Sequence, residues 1–220
     1  MSSGHVTGTG RPDGVRRDEI LRAATRRFGR DGYESTRWAD IAADVGVGPT
    51  ALYHYFESKQ HCLFVIMGQA IADFRARFDR LAGAEADSAQ SCGQTLDTVM
   101  RDCFRLTEQD IQRNRVLVAE QGLLMNSRRS PREEQARLAA REQTRGLERA
   151  WAAFFADAME RGAIPAGDPQ LLARAVLGLY NSVWHWYRPD GTVALPDVAG
   201  FFVARSLVLA GVTFDGTETP

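Results

Sequence analysis

The chain has 220 residues, 44% hydrophobic and 25% charged, enough for a small domain beside a larger one whose core needs neither disulfides nor a metal. A formal net charge of −1 excludes a binder that works through overall charge, so any nucleic-acid contact must come from local basic groups. Cys62, Cys92 and Cys103 are odd in number and lack metal-ligand spacing, so they are expected to be reduced core thiols, with no metal, no cofactor and a cytoplasmic setting. No apolar run reaches the roughly 18 residues of a membrane span, and residues 1–10 lack the apolar stretch of a signal peptide.

Residues 1–14 are Gly-rich, carry Pro12 and read as a disordered arm. A helix is predicted over 15–30, with Ile20, Ala23, Ala24 and Phe28 on one stripe and Gly32 as its left-handed stop. A short helix follows, N-capped by Thr36, with Asp40 in its first turns and Trp38, Ile41, Ala42 and Val45 facing inward. Gly46 breaks it. A third helix opens at Pro49 and runs to about Tyr55. Ser58 caps a long helix in which Leu63, Ile66, Ala70, Ile71, Phe74, Phe78 and Leu81 hold one face.

After a loop over 83–88, helices are predicted over 89–109, 111–127 and 131–162. On the last, Arg137, Arg141, Arg145 and Arg149 recur every four residues among Glu133, Glu134, Glu142 and Glu148, which reads as a solvated, ion-paired face. A helix over 169–187 shows two apolar faces, one through Leu172, Val176, Leu179, Val183 and Trp186, the other through Leu177, Tyr180 and Trp184. Two such faces need two covers, and a second subunit is the simplest second cover. Pro196 opens the final helix, through Phe201, Phe202, Val208 and Leu209. No period-two pattern occurs, so the expected class is all-α. The expected layout is a three-helix head over 15–60 and a helical bundle with dimerisation helices over 61–215.

The segment from Thr36 to Lys59, two short helices about Gly46-Val47, has the form of a helix-turn-helix. Its second helix would enter a major groove. Pro49, Thr50 and Ala51 are small enough for close approach, and Thr50 can meet a base edge. Tyr53 and His54 offer donors to phosphate, as does Lys59, the sole lysine. Arg37 can reach the backbone from the other side, and Arg16 and Arg17 can reach a minor groove or phosphates. Trp38, Tyr55 and Phe56 read as core.

This stretch resembles the TetR family of regulators, through Gly32-Tyr33, Thr36, Asp40-Ile41-Ala42, Val45-Gly46-Val47, Leu52-Tyr53, Tyr55-Phe56 and Ser58-Lys59. The resemblance implies a homodimer on a palindromic double-stranded operator, with a C-terminal domain that binds an effector, and repression as the default. Carried over by residue, the family's DNA contacts fall on Thr36, Arg37, Thr50, Tyr53, His54 and Lys59. Arg37 stands where the family often has Ser or Thr.

An aromatic and Met-rich wall suits an apolar ligand. Candidates are Phe74, Phe78, Met100, Phe104, Met125, Trp151, Phe155 and Trp184, with Gln121 and Asn181 as orienting polar groups. The segment from Gly178 to Gly191 is similar to the C-terminal region of TetR regulators of fatty-acid, aromatic-acid and steroid degradation. That similarity implies an acyl-CoA effector, with Arg101 or Arg105 toward its phosphates. Val176, Tyr180, Val183, Tyr187, Phe202 and Leu209 are the expected dimer interface. Two rival readings are an enzyme and a TetR-fold protein-interaction module that has lost DNA binding. Against the first, the chain has no phosphate loop, nucleophile elbow or metal spacing.

Overall fold

In the computed structural model, which describes residues 13–85 and 92–212, every regular element is helical. The elements are α1 (Asp13–Asp31), α2 (Trp38–Asp44), α3 (Pro49–Leu52), α4 (Lys59–Glu85), α5 (Cys92–Cys103), α6 (Glu108–Glu120), α7 (Pro131–Glu160), α8 (Pro169–Trp186) and α9 (Leu195–Leu209). A 3₁₀ turn, Gln121–Met125, follows α6. No described helix is long and apolar enough to cross a membrane. The arm expected over 1–14 lies outside the described residues up to residue 12, and its last two positions already belong to α1.

Local chemistry explains most of the boundaries. Gly32 takes φ +89° and Gly46 φ +67°, the left-handed region that costs a side chain most. Ser58 Oγ accepts from His61 N at 3.0 Å at the start of α4. Asp168 caps α8 by accepting from Gln170 N and Leu171 N, with Pro169 in the first turn. The division between α5 and α6 falls earlier than periodicity predicts. Thr107 and Asp110 form a reciprocal capping box that opens α6, so the chain leaves helix after Cys103.

Two apolar clusters share the long α4. One joins Ile20, Phe28, Ile41, Leu52, Phe56, Leu63 and Phe64 of the N-terminal segment to Val116, Leu124 and Ala140 of the C-terminal one. The other joins Phe74 and Phe78 to α5 through α9 about Trp151, Phe155, Tyr180 and Trp184. The head is therefore seated on the body. At Gly29 the fit is tight enough that a Cβ would collide with Gln112 of α6.

Candidate nucleic-acid interface and effector cavity

The turn Val45–Gly48 carries the chain from α2 to α3. Val47 N donates to Ala42 O at 3.0 Å, and Gly46 supplies the positive φ. Leu52, fully buried, anchors α3 to the head. Around it Pro49, Thr50, Tyr53 and His54 are exposed and Ala51 is half-buried. Tyr53 is 54% exposed and lies edge-on to Trp38 at 6.5 Å. Trp38 is half-buried and also meets Phe56 edge-on. Arg37 is exposed at the N-cap of α2. Arg17 is half-buried, with its guanidinium 4.9 Å above the Phe56 ring.

Three expected DNA contacts are spent inside the protein. Thr36 is 3% exposed and its hydroxyl donates to Gly32 O at 2.8 Å, so it neither caps α2 nor reaches a base; Arg37 holds the cap position instead. Lys59 Nζ donates to Tyr33 O at 2.8 Å and Thr36 O at 3.0 Å, and lies 4.2 Å over the Tyr33 ring. The α1–α2 turn leaves carbonyls that an ammonium satisfies better than a neutral donor, so this side chain is turned inward rather than toward phosphate. Arg16 donates to Val45 O at 3.0 Å and pairs with Glu19 at 3.1 Å, pinning α1 to the helix-turn-helix turn.

A cavity of about 410 Å³ opens among α4, α6, the 3₁₀ turn, α7 and α8. Its deep wall is Ala70, Ile71, Phe74, Val118, Leu124 and Leu177, all buried. Its polar floor is a chain in which Asn114 Nδ2 donates to Tyr180 Oη and the Tyr180 hydroxyl donates to Cys103 O, each at 3.1 Å. Burial pushes the Tyr180 phenol well above its ordinary range, so it stays a neutral donor. At the rim lie Gln121, Met125, Arg141, Arg145 and Asn181.

Of the expected ligand residues, Phe74, Gln121, Met125 and Asn181 line this cavity. Phe78, Met100, Phe104, Trp151, Phe155 and Trp184 do not; each is at most 4% exposed in the core. The aromatic ones pack ring on ring, with Phe78 4.7 Å from Trp151 and Phe104 5.9 Å from Trp184. Rings that interlock at native packing density leave no space between them, so they form the core beside the cavity instead of its lining. Cys62 and Cys103 are free and buried, which pushes both thiols up; the side chain of Cys92 lies outside the described residues.

Residues 20–66 match the family described as bacterial regulatory proteins, tetR family, and residues 91–212 match the tetracyclin repressor-like C-terminal domain. The chain belongs to the TetR family. It is 24% identical over 202 residues to the HTH-type transcriptional repressor KstR2 of Mycolicibacterium smegmatis, covering 90% of this chain and 91% of the relative. The TetR-family regulator PfmR of Thermus thermophilus superposes with a TM-score of 0.69 at 27% identity, over 89% of this chain and 99% of that one. AibR, solved in complex with isovaleryl coenzyme A and operator DNA, superposes with a TM-score of 0.67 at 22% identity, over 86% and 97%. At that identity the likeness to AibR is one of fold.

In this TetR-family chain Val176 and Val183 of the first apolar face expected on α8 merge with the second face into one buried arc, whereas Trp186 of the first face is exposed. Val176, Leu177, Tyr180, Val183 and Trp184 all enter the chain's own core. Val176, Tyr180, Val183 and Tyr187, expected at the dimer interface, are at most 5% exposed within the single subunit, so its own core already covers them. At 100° per residue these positions span a single wide arc, which one bundle covers. The opposite arc of α8 carries Leu171 (62% exposed), Ala175, Gly178, Ser182 and Trp186, and beside it α9 presents Phe201, Val208 and Leu209. Phe202 is half-buried, with its ring 6.3 Å from Trp186.

The Arg row of α7 is likewise not uniform. Arg137 is 3% exposed, donates to Leu124 O at 2.6 Å and pairs with Glu134, locking α7 to the end of the 3₁₀ turn. That bond, with Arg128 N donating to Glu134, holds the Glu134 carboxyl down at about 2. Arg149 pairs with Glu142 at 2.6 Å. Arg101 pairs with Asp97 on the outside of α5, and neither it nor Arg105 lines the cavity. The start of α7 is also tied to the loop after α3: Ser58 donates to Glu133, and Ser130 donates to Glu57. The helix that walls the cavity is thus bonded to the segment that carries α3.

Proposed function

We propose that the chain is a homodimeric repressor that binds a palindromic operator and is released by a small apolar effector, an acyl-CoA being the favoured class. The head over 15–60 would read DNA, and the body over 61–215 would bind effector and dimerise. The observation that carries the reading is the exposure of Pro49, Thr50, Tyr53 and His54 about the buried Leu52, with Arg37 exposed at the start of α2. Small residues at its leading end allow base-edge approach, and Tyr53, His54 and Arg37 suit phosphate. Arg17 extends that row at the margin.

Three further features support the finer reading. The cavity falls within the roughly 300–1,000 Å³ of small-molecule sites. Its walling helix is hydrogen-bonded to the head through Ser58, Glu133, Ser130 and Glu57, a physical link by which filling the cavity would bias the head. The exposed stripe of α8 and α9 suits a two-fold interface. The isovaleryl coenzyme A in AibR and the repressor function of KstR2 favour an acyl-CoA-released repressor.

A mobility-shift titration with DNA from upstream of the gene, against random competitor, tests the proposal. Expected is a retarded species of two chains per site that an acyl-CoA dissolves. Equal affinity for upstream and random DNA at every salt concentration would overturn the DNA-reading role, and a complex indifferent to acyl-CoAs the effector class.

A further inference from the structure

We propose that the cavity takes an amphipathic anion, its apolar body against Ile71, Phe74 and Val118 and its negative group held at the rim by Arg141, with Arg145 beside it. This rests on reading the cavity as the effector site, and is independent of DNA binding. The four arginines that recur along α7 from Arg137 to Arg149 differ in what they have left to offer. Arg137 and Arg149 are satisfied by Glu134 and Glu142. Arg145 is 3.7 Å from the same Glu142 and is otherwise exposed. Arg141 is half-buried, lines the cavity and, among the described residues, has no carboxylate or carbonyl partner.

A guanidinium carries five donors and no acceptor, and it keeps its charge at any physiological pH. Beside an apolar wall it is partly stripped of water, so an arriving anion gains more there than on open surface. Glu148, the carboxylate of the lining, is turned to Arg174 at 3.5 Å and does not neutralise Arg141. The rim is therefore net cationic above an apolar hollow, which fits a negative group at one end of a hydrocarbon body. Either a free carboxylate or the phosphates of a carrier conjugate supply that charge.

Isothermal titration of the full chain with decanoate, 1-decanol and decanoyl-CoA separates these. The expected result is that one or both anions bind at least tenfold more tightly than the alcohol. Arg141→Gln should remove roughly ten- to a hundredfold of that affinity, the scale of one charged hydrogen bond, Arg141→Lys should recover part, and decanol affinity should stay within about twofold. Retained decanol binding shows that the variant's cavity is intact. Preference for decanoate assigns the rim to a carboxylate; binding of decanoyl-CoA alone, weakened further by Arg145→Gln, assigns it to phosphate. Equal binding of alcohol and anions by the unmodified chain overturns the proposal without recourse to any variant. So does an Arg141→Gln chain that keeps its preference, or failure of all three probes; neither outcome bears on operator recognition. An anion that binds with these properties yet leaves the operator complex unchanged would instead overturn the effector reading and keep the site.

Discussion

Gly178→Arg should split the proposed dimer while leaving the subunit as helical as before. Gly178 lies mid-way along the exposed arc of α8, and a Cβ there would meet nothing within 4 Å. In the isolated subunit the change replaces a poor helix former with a good one, a gain of about 0.5–1 kcal/mol. Across a two-fold interface the same position faces its own copy or a close neighbour. Leu171, Trp186, Phe201, Val208 and Leu209 are 62, 48, 56, 60 and 46% exposed. Covering the remaining half of each is worth about 1 kcal/mol, or roughly 10 kcal/mol over both subunits before the cost of association. Two guanidinium groups buried at the centre of that patch without partners cost several kcal/mol. Taking about 4 kcal/mol, the dissociation constant rises about a thousandfold. Sedimentation velocity across a concentration series reads the shift, and far-ultraviolet circular dichroism at low concentration reads helicity. A variant that stays dimeric with unchanged affinity would refute the assignment of this face. A loss of helicity would refute the account of α8 as open at Gly178.

Lys59→Met and Arg37→Ala should part ways. The first removes the ammonium that serves Tyr33 O and Thr36 O, so thermal stability should fall by about 1–3 kcal/mol with the salt dependence of operator binding unchanged. The second should leave the melt alone and flatten the log–log salt slope by about 1 per head. A flatter slope for Lys59→Met would show that it reaches phosphate after all. Glu134 provides a pH test. Its carboxyl is depressed in the folded chain by Arg137 and the Arg128 N–H, so its stabilisation is complete above the ordinary carboxylate range and is lost as pH falls toward about 2. Melting from about pH 6 to about pH 3 should therefore decline less steeply in Glu134→Gln, which starts lower; parallel curves would contradict the assigned bond.

Much of the head was legible because its signals are local. Gly32 and Gly46 sit where the chain must take positive φ, Pro49 opens α3, and the stripe of Ile20, Ala23 and Phe28 turns inward. What a polar side chain does once the helices meet was less legible. Thr36, Lys59 and Arg16 share the composition of phosphate contacts, yet each finds a backbone carbonyl that the turns leave open. A cap reading of Thr36 and a phosphate reading of Lys59 differ only in which neighbour arrives first, and pattern does not encode that. The capping box of Thr107 and Asp110 was a readable signal that periodicity overrode.

The body divides in the same way. Helix number, the all-helical class and the apolar stripes follow from spacing along the chain, since a stripe at three-to-four intervals has to be buried whatever it is buried against. Which stripe meets which partner is decided by packing between segments far apart in the chain. That is why Tyr180 joins Asn114 at a cavity floor instead of a second subunit, why Trp151 fills space instead of bounding it, and why Arg141, with Arg145 beside it, is left facing a hollow while Arg137 and Arg149 are not. Periodicity determines that a face must be covered; only the three-dimensional arrangement of the helices determines by what, and where the space runs out.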